Sequence, residues 1–215
     1  MKQIQKYQNL RAVGMELNGK LLGSIARNHF KKAARLMKML RMNKISFKNE
    51  GEQYRFYDFV INDCLGNNGS TGVENFNKKH RDSLTEVEGK LIDSMIATKP
   101  SVYSIEKIDI QNSYVWLQNL LEPDSQLIRI VDLGFCKSEG IIGQLIYTRI
   151  VGADEIAMTS GATMMFDKQH KVQLINQAYD MFAKLKDTQM QRTLVFNKLY
   201  KKFGYKRFMY QDPTE

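Results

Sequence analysis

The hydrophobic pattern of this chain changes period at Lys99-Pro100 and changes back near Asp167, and that double switch constrains the fold more than any single motif. Apolar residues before the switch recur every three or four positions, as on one face of a helix. Leu21, Leu22, Ile25, Phe30, Ala33, Ala34, Leu36, Met37 and Leu40 place a helix over 17–42, with Gly19 and Gly23 weakening its first turns and a break expected near 24–28. The stronger part is Asn28 to Met42. Phe56, Phe59, Val60 and Cys64 keep the same period, so 52–65 reads as a helix. The cluster Gly66-Asn67-Asn68-Gly69-Ser70-Thr71-Gly72 reads as a flexible connection. It lacks the Lys-Ser/Thr ending of a phosphate loop. A further helix over 82–98 opens on a capping box of Ser83 and Glu86 and ends before Pro100.

Between the switches the residues alternate. Strands are expected at Val102–Ile110, Tyr114–Leu120, Leu127–Leu133 and Ile141–Val151, followed by a short hairpin of Ile156–Thr159 with Ala162–Phe166. Five to six short strands in so small a span suggest an antiparallel sheet or a closed barrel. Two helices finish the chain. Asp167 caps the first, with Val172, Ile175, Tyr179, Phe182 and Leu185 as its stripe. Asp187-Thr188 opens the second, which carries Met190, Leu194, Leu199 and Phe203 and stops at Gly204. The expected class is α+β: a helical N-terminal region over 1–100, a β-module over 101–167 and a helical C-terminal region over 168–215, packed as one compact unit.

Charge is sorted along the same divisions. Residues 1–49 hold twelve Lys or Arg and one acid, Glu16. Residues 50–167 hold ten basic against eighteen acidic, and 168–207 hold ten Lys or Arg against Asp180 and Asp187. The overall +9 therefore conceals two cationic ends around an acidic middle. Such sorting concerns partners more than fold.

Several classes of chemistry find no support. Cys64 and Cys136 are the only cysteines and read as reduced, buried thiols. His29, His80 and His170 share no helix at ligand spacing, so no metal and no cofactor are expected. Asp82, Glu86, Glu88 and Asp93 sit opposite the apolar stripe of a helix, where a solvated face explains them. No Ser lies in a Gly-x-Ser-x-Gly elbow. The first ten residues carry no apolar signal region, and no run is long enough to span a membrane, so a cytoplasmic location is expected.

Asn18–Phe166 resembles a family of uncharacterised bacterial proteins, some of which end in a SEC-C zinc-binding motif. The likeness rests on His29-Phe30-Lys31-Lys32-Ala33-Ala34-Arg35-Leu36, on Tyr54–Asp58, on Tyr103–Ile108, on Val115–Leu121, and on Gly143–Ile150 with Met158–Ala162. The family's usual Arg-Asp-Leu is Gln118-Asn119-Leu120 here, and the SEC-C ligands are absent. The resemblance implies helices around a small β-module. It brings no catalytic residue and no zinc.

The remaining candidates are the basic tracts. Lys31, Lys32, Arg35, Lys38 and Arg41 surround the apolar face of one helix. Lys201, Lys202, Tyr205, Lys206, Arg207 and Phe208 interleave cations with rings near the C-terminus. Cations neutralise phosphates, and rings stack on unpaired bases. The expectation is a non-enzymatic protein that binds nucleic acid, with RNA or single-stranded DNA favoured. The alternative is an adaptor docking into a larger complex such as a ribonucleoprotein, marked by an exposed patch of Met and aromatic residues.

Overall fold

The computed structural model describes residues 2–185 and 188–205. Five helices come first: α1 (Lys2–Ser24), α2 (Arg27–Leu36), α3 (Glu50–Asn62), α4 (Gly72–His80) and α5 (Glu86–Ala97). A small hairpin, β1 (Leu40–Arg41) with β2 (Lys44–Ile45), separates α2 from α3. The module after Pro100 contains β3 (Ser101–Asp109), β4 (Tyr114–Asn119), β5 (Ile128–Val131), the short α6 (Leu133–Cys136), β6 (Leu145–Thr148), β7 (Ile150–Ala153), β8 (Ile156–Thr159) and β9 (Met164–Phe166). Helices α7 (Lys171–Phe182) and α8 (Gln189–Phe203) follow. The α+β class and the order of its three parts are those expected.

The module is an open sheet, not a barrel. Its antiparallel order is β5-β4-β3-β6-β9, and β7 pairs with β8 as a separate hairpin. The expected strand at Ile141–Val151 is two strands with Arg149 between them. Arg149 turns its side chain into the interior, so the chain leaves the main sheet there. The expected pairing of 156–159 with 162–166 is also replaced: β8 returns along β7, and β9 runs beside β6.

The helix expected to reach Met42 stops at Leu36. Its end is a Schellman turn in which Met39 N–H reaches Ala34 O at 2.8 Å and Lys38 N–H reaches Arg35 O at 3.1 Å. Lys38 takes the left-handed position, with φ 59°. That turn lets both Met37 and Met39 enter the core, which a continued helix would not allow. The break expected near 24–28 does occur, at Ile25-Ala26.

Two other boundaries shift. The capping box of α5 is Thr85 with Glu88, not Ser83 with Glu86: Thr85 Oγ1 accepts from Glu88 N–H at 3.3 Å, and Glu88 Oε2 accepts from Thr85 N–H at 2.9 Å. Glu88 is buried beneath Lys20 of α1, 2.6 Å away, and so does not belong to a solvated face. In α7 the buried positions are Leu174 and Ala178, while Val172, Tyr179 and Leu185 are exposed. Ile175 and Phe182 of the expected stripe do pack against the cluster that Leu174 and Ala178 enter, so the inward face is the expected one widened towards Leu174 and Ala178.

Apolar packing ties these parts together. One cluster joins α1 through Leu10, Leu17 and Leu21 to α5 and to the β7–β8 hairpin. A second sets α7 and α8 on one face of the sheet, with Tyr147 stacked on Phe196 at 4.3 Å. A third joins α2 and α3 through Met37, Phe56 and Phe59, and reaches Met190 and Leu194 of α8.

Candidate nucleic-acid interface

The N-terminal cations lie on a continuous stretch from α2 to β2. Its apolar side, Ala33, Ala34 and Met37, packs on α3, which leaves Lys31 half-buried and Arg35 exposed one turn apart. Lys32 is held differently. Its Nζ donates to Leu65 O at 2.7 Å, which fixes the loop after α3. Lys38 and Arg41 are exposed after the Schellman turn.

The β1–β2 hairpin extends this stretch through Met42 and Lys44. Its two-residue turn, Met42-Asn43, has φ values of 43° and 65°, the primed geometry that suits a tight hairpin. Met42 is 96% exposed there, with Arg41 and Lys44 on either side. A methionine held in the left-handed region and turned to solvent is an uncommon combination, and hairpin statistics favour Asn-Gly in its place.

The C-terminal set is only partly placed. Lys201 and Lys202 are exposed on the last turn of α8, where cations also suit the helix dipole. Lys202 Nζ reaches Gln177 Oε1 of α7 at 3.3 Å and lies 4.8 Å from the Phe203 ring. Tyr205 is half-buried against the sheet, and its N–H donates to Met165 O at 2.8 Å. Its ring therefore packs on protein rather than standing free. Lys206, Arg207 and Phe208 lie outside the described residues.

Helix α3 connects the two sets. Its Phe56 packs beside Phe30 of α2 at 6.3 Å, and its Arg55 guanidinium sits 4.7 Å from the Tyr200 ring of α8. Burial lowers the pKa of Arg55, and its Nε has no hydrogen-bond partner. Lys201 and Lys202 stand roughly 16 Å along α8 from Met190, the end that enters the α2–α3 cluster, at 1.5 Å rise per residue.

Ion pairs among the described residues include those of Lys6, Lys20, Arg81, Lys90 and Arg149. Lys31, Lys32, Arg35, Lys38, Arg41, Lys201 and Lys202 join none of these pairs. The α2 stretch and the end of α8 therefore carry several cations close together in the chain with no carboxylate within ion-pair distance among these contacts.

Other chemistry is restrained by burial. Both cysteines are free and buried, and desolvation pushes each thiol up to about 11. Among the described residues no group of three or more His, Cys, Asp or Glu is placed to hold a metal, and no helix is long and apolar enough to cross a membrane. His29 Nε2 meets Val60 O at 3.1 Å, and burial lowers its pKa. Sequence reasoning misses the fully buried pair Asp63–Arg149 and Asp58 beside it. The available signal was two acids inside the apolar stretch Phe56–Cys64.

The model of a family of unknown function, DUF7986, matches residues 1–210. The chain belongs to that family. Searches among curated proteins and among solved structures gave no match. Membership in DUF7986 agrees with the uncharacterised family expected from the sequence. It extends over nearly the whole chain rather than 18–166, and it carries no statement about a SEC-C motif or a bacterial source. It assigns no residue a role, so the geometry of the cationic stretch stands on its own.

Proposed function

We propose that this protein binds nucleic acid without catalysing a reaction, taking RNA or single-stranded DNA along the stretch from Lys31 to Lys44. The observation that supports this reading is the density of cations between Lys31 and Lys44, with Arg35, Lys38, Arg41 and Lys44 exposed and none of them in the ion pairs formed among the described residues. An uncompensated row of Lys31, Arg35, Lys38, Arg41 and Lys44 attracts phosphates and releases their counterions. Met42, at the tip between Arg41 and Lys44, offers an apolar surface to an unstacked base. Lys201, Lys202 and the residues beyond Tyr205 extend the contact, and a ribonucleoprotein is its natural setting. Kinship with the SEC-C-bearing bacterial proteins forms part of the same proposal.

The adaptor alternative has less to rest on. The most exposed large apolar side chains, Met42, Ile110, Val172 and Met15, lie on four different segments of the chain.

Filter binding of mixed-sequence single strands across a salt series tests the proposal. Affinity should fall with a log–log slope of roughly −0.7 for each phosphate neutralised, and Lys31→Glu with Arg35→Glu should weaken binding for every sequence and flatten that slope. Binding that ignores salt, or none at low salt, overturns it.

A further inference from the structure

A cavity of about 580 Å³ opens between α1, α3 and the loop after β8, with no residue of α2 in its lining. That volume falls within the ~300–1,000 Å³ of small-molecule sites. Its polar wall is made of Arg11, Asn18, Asp58 and Ser160, and Tyr54 and Tyr57 supply ring surface. A smaller recess of about 70 Å³ shares Arg11, Asn18, Asp58 and Ser160 with it.

The hydrogen-bonding capacity of this wall is only partly used. Arg11 donates from Nε to Tyr7 Oη at 3.2 Å, and from its terminal nitrogens to Thr159 O at 2.8 Å and Thr159 Oγ1 at 3.4 Å. Of its five N–H groups, two are left. Asp58 accepts from Asn62 Nδ2 through Oδ1 at 3.3 Å, which leaves Oδ2 without a bond of good geometry. The Ser160 hydroxyl lies near enough to favour the Asp58 charge, yet its buried oxygen has no well-formed hydrogen bond. The Asn18 amide has no partner among the described residues.

Glycine keeps the space open. Gly19 lines the larger cavity in the interior of α1, where glycine costs roughly 0.5–1 kcal/mol relative to alanine. A Cβ at Gly19 would meet nothing within 4 Å, so packing does not require the missing side chain.

The chemistry of the wall narrows the ligand. Arg11 and Asp58 share the cavity without pairing with each other. A simple amine would face the guanidinium, and a simple carboxylate would face Asp58. A neutral planar ligand with both donors and acceptors on its edge satisfies both, with its faces against tyrosine. We propose that this cavity is a nucleobase site, open to a free nucleoside or to a base turned out of a single strand.

This inference does not rest on the cationic stretch, and calorimetric titration separates the two. Adenosine, guanosine, cytidine and uridine carry no phosphate, so their binding to the full chain should be indifferent to salt, unlike strand binding. At least one should bind saturably. Gly19→Leu should weaken it about tenfold or more by filling the cavity, with helix content unchanged by circular dichroism; Asp58→Asn should do the same by removing a charged acceptor. A strand with one abasic position, compared with the intact strand, identifies the source. If the abasic loss disappears in Gly19→Leu, the base comes from the strand; if nucleosides bind and strands do not compete, the free molecule is the ligand. Absence of saturable nucleoside binding together with strand binding unaffected by Gly19→Leu overturns the proposal.

Discussion

The Arg149 guanidinium lies 2.5 Å from the Asp63 carboxylate, and neither side chain has any exposure. Asp63 follows α3 and Arg149 lies between β6 and β7, so one ion pair joins the helical layer to the sheet. Helix α8 completes it: Gln189 Nε2 donates to Asp63 Oδ1 at 2.8 Å and Thr193 Oγ1 to Oδ2 at 2.7 Å. Tyr147 Oη meets Thr193 at 2.9 Å, and Arg149 also donates to Thr98 O after α5. Elements from all three parts of the chain meet at this point.

Removing one member should therefore be costly. Arg149→Met leaves Asp63 desolvated without its cation, and a loss of roughly 3–5 kcal/mol is expected in urea denaturation. Joining Arg149→Met to Asp63→Leu should recover part of that loss, because no unpaired charge then remains. If the double variant is as unstable as the sum of both single variants, the pair is not coupled as the contact implies.

The same site sets a pH dependence. Asp58 and Asp63 both face Arg149, and burial first, with mutual repulsion for Asp63, lifts the Asp63 carboxyl from 3.8 to about 6. Asp58 is raised for the same leading reason. A raised folded pKa means that protonation favours the folded state, so the contribution of Asp63 to stability grows as pH falls from 6 towards 3.8. Glu88 has the opposite sign. The Lys20 ammonium, then the Thr85 N–H, holds it down to about 2 from 4.5, so its stabilisation is full above 4.5 and lost as pH falls towards 2. Thermal melts should gain stability from Asp63 on mild acidification and lose that of Glu88 only below 4.5. Asp58→Asn should shrink the gain, and Glu88→Gln should flatten the loss.

The start of α5 offers a direct choice between two capping residues two positions apart. Thr85→Ala removes the acceptor for Glu88 N–H and should cost about 1 kcal/mol. Ser83→Ala should stay within ~0.5 kcal/mol, since its hydroxyl only meets His80 O at an exposed turn. Equal effects in the two unfolding curves would contradict the assigned cap.

Local periodicity carried the main elements into the sequence: α3, α5, α8 and strands β3 to β5 stand close to their expected positions. What was illegible depended on contacts distant in the chain. Ser83 and Thr85 both head a Ser/Thr-x-x-Glu pattern, and the choice between them is made by Lys20, which covers Glu88 from another helix. The alternation of 141–151 continues through Arg149, and only Asp63 explains why the strand divides there. Helix α4 begins inside a glycine-rich cluster because Thr71 and Glu74 form a capping box, a signal obscured by the turn residues before it. The cations of the candidate interface could be named from sequence, but their lack of acidic partners could not, since pairing across the fold has no linear signature.

Lys38 places stability and binding in opposition. It occupies the left-handed position of the α2 Schellman turn at φ 59°, which glycine adopts without the Cβ clash worth roughly 1–2 kcal/mol. Its side chain is exposed and forms no ion pair, so no contact offsets that strain. Lys38→Gly should raise stability by roughly 0.5–1 kcal/mol after the extra entropy of glycine in the unfolded chain is counted. It should also weaken single-strand binding and reduce the salt slope by about 0.7, the share of one phosphate contact. Chemical denaturation and filter binding on the same preparation read both effects. A variant more stable and equally tight would remove Lys38 from the interface, while one less stable would show that the lysine supports the turn itself.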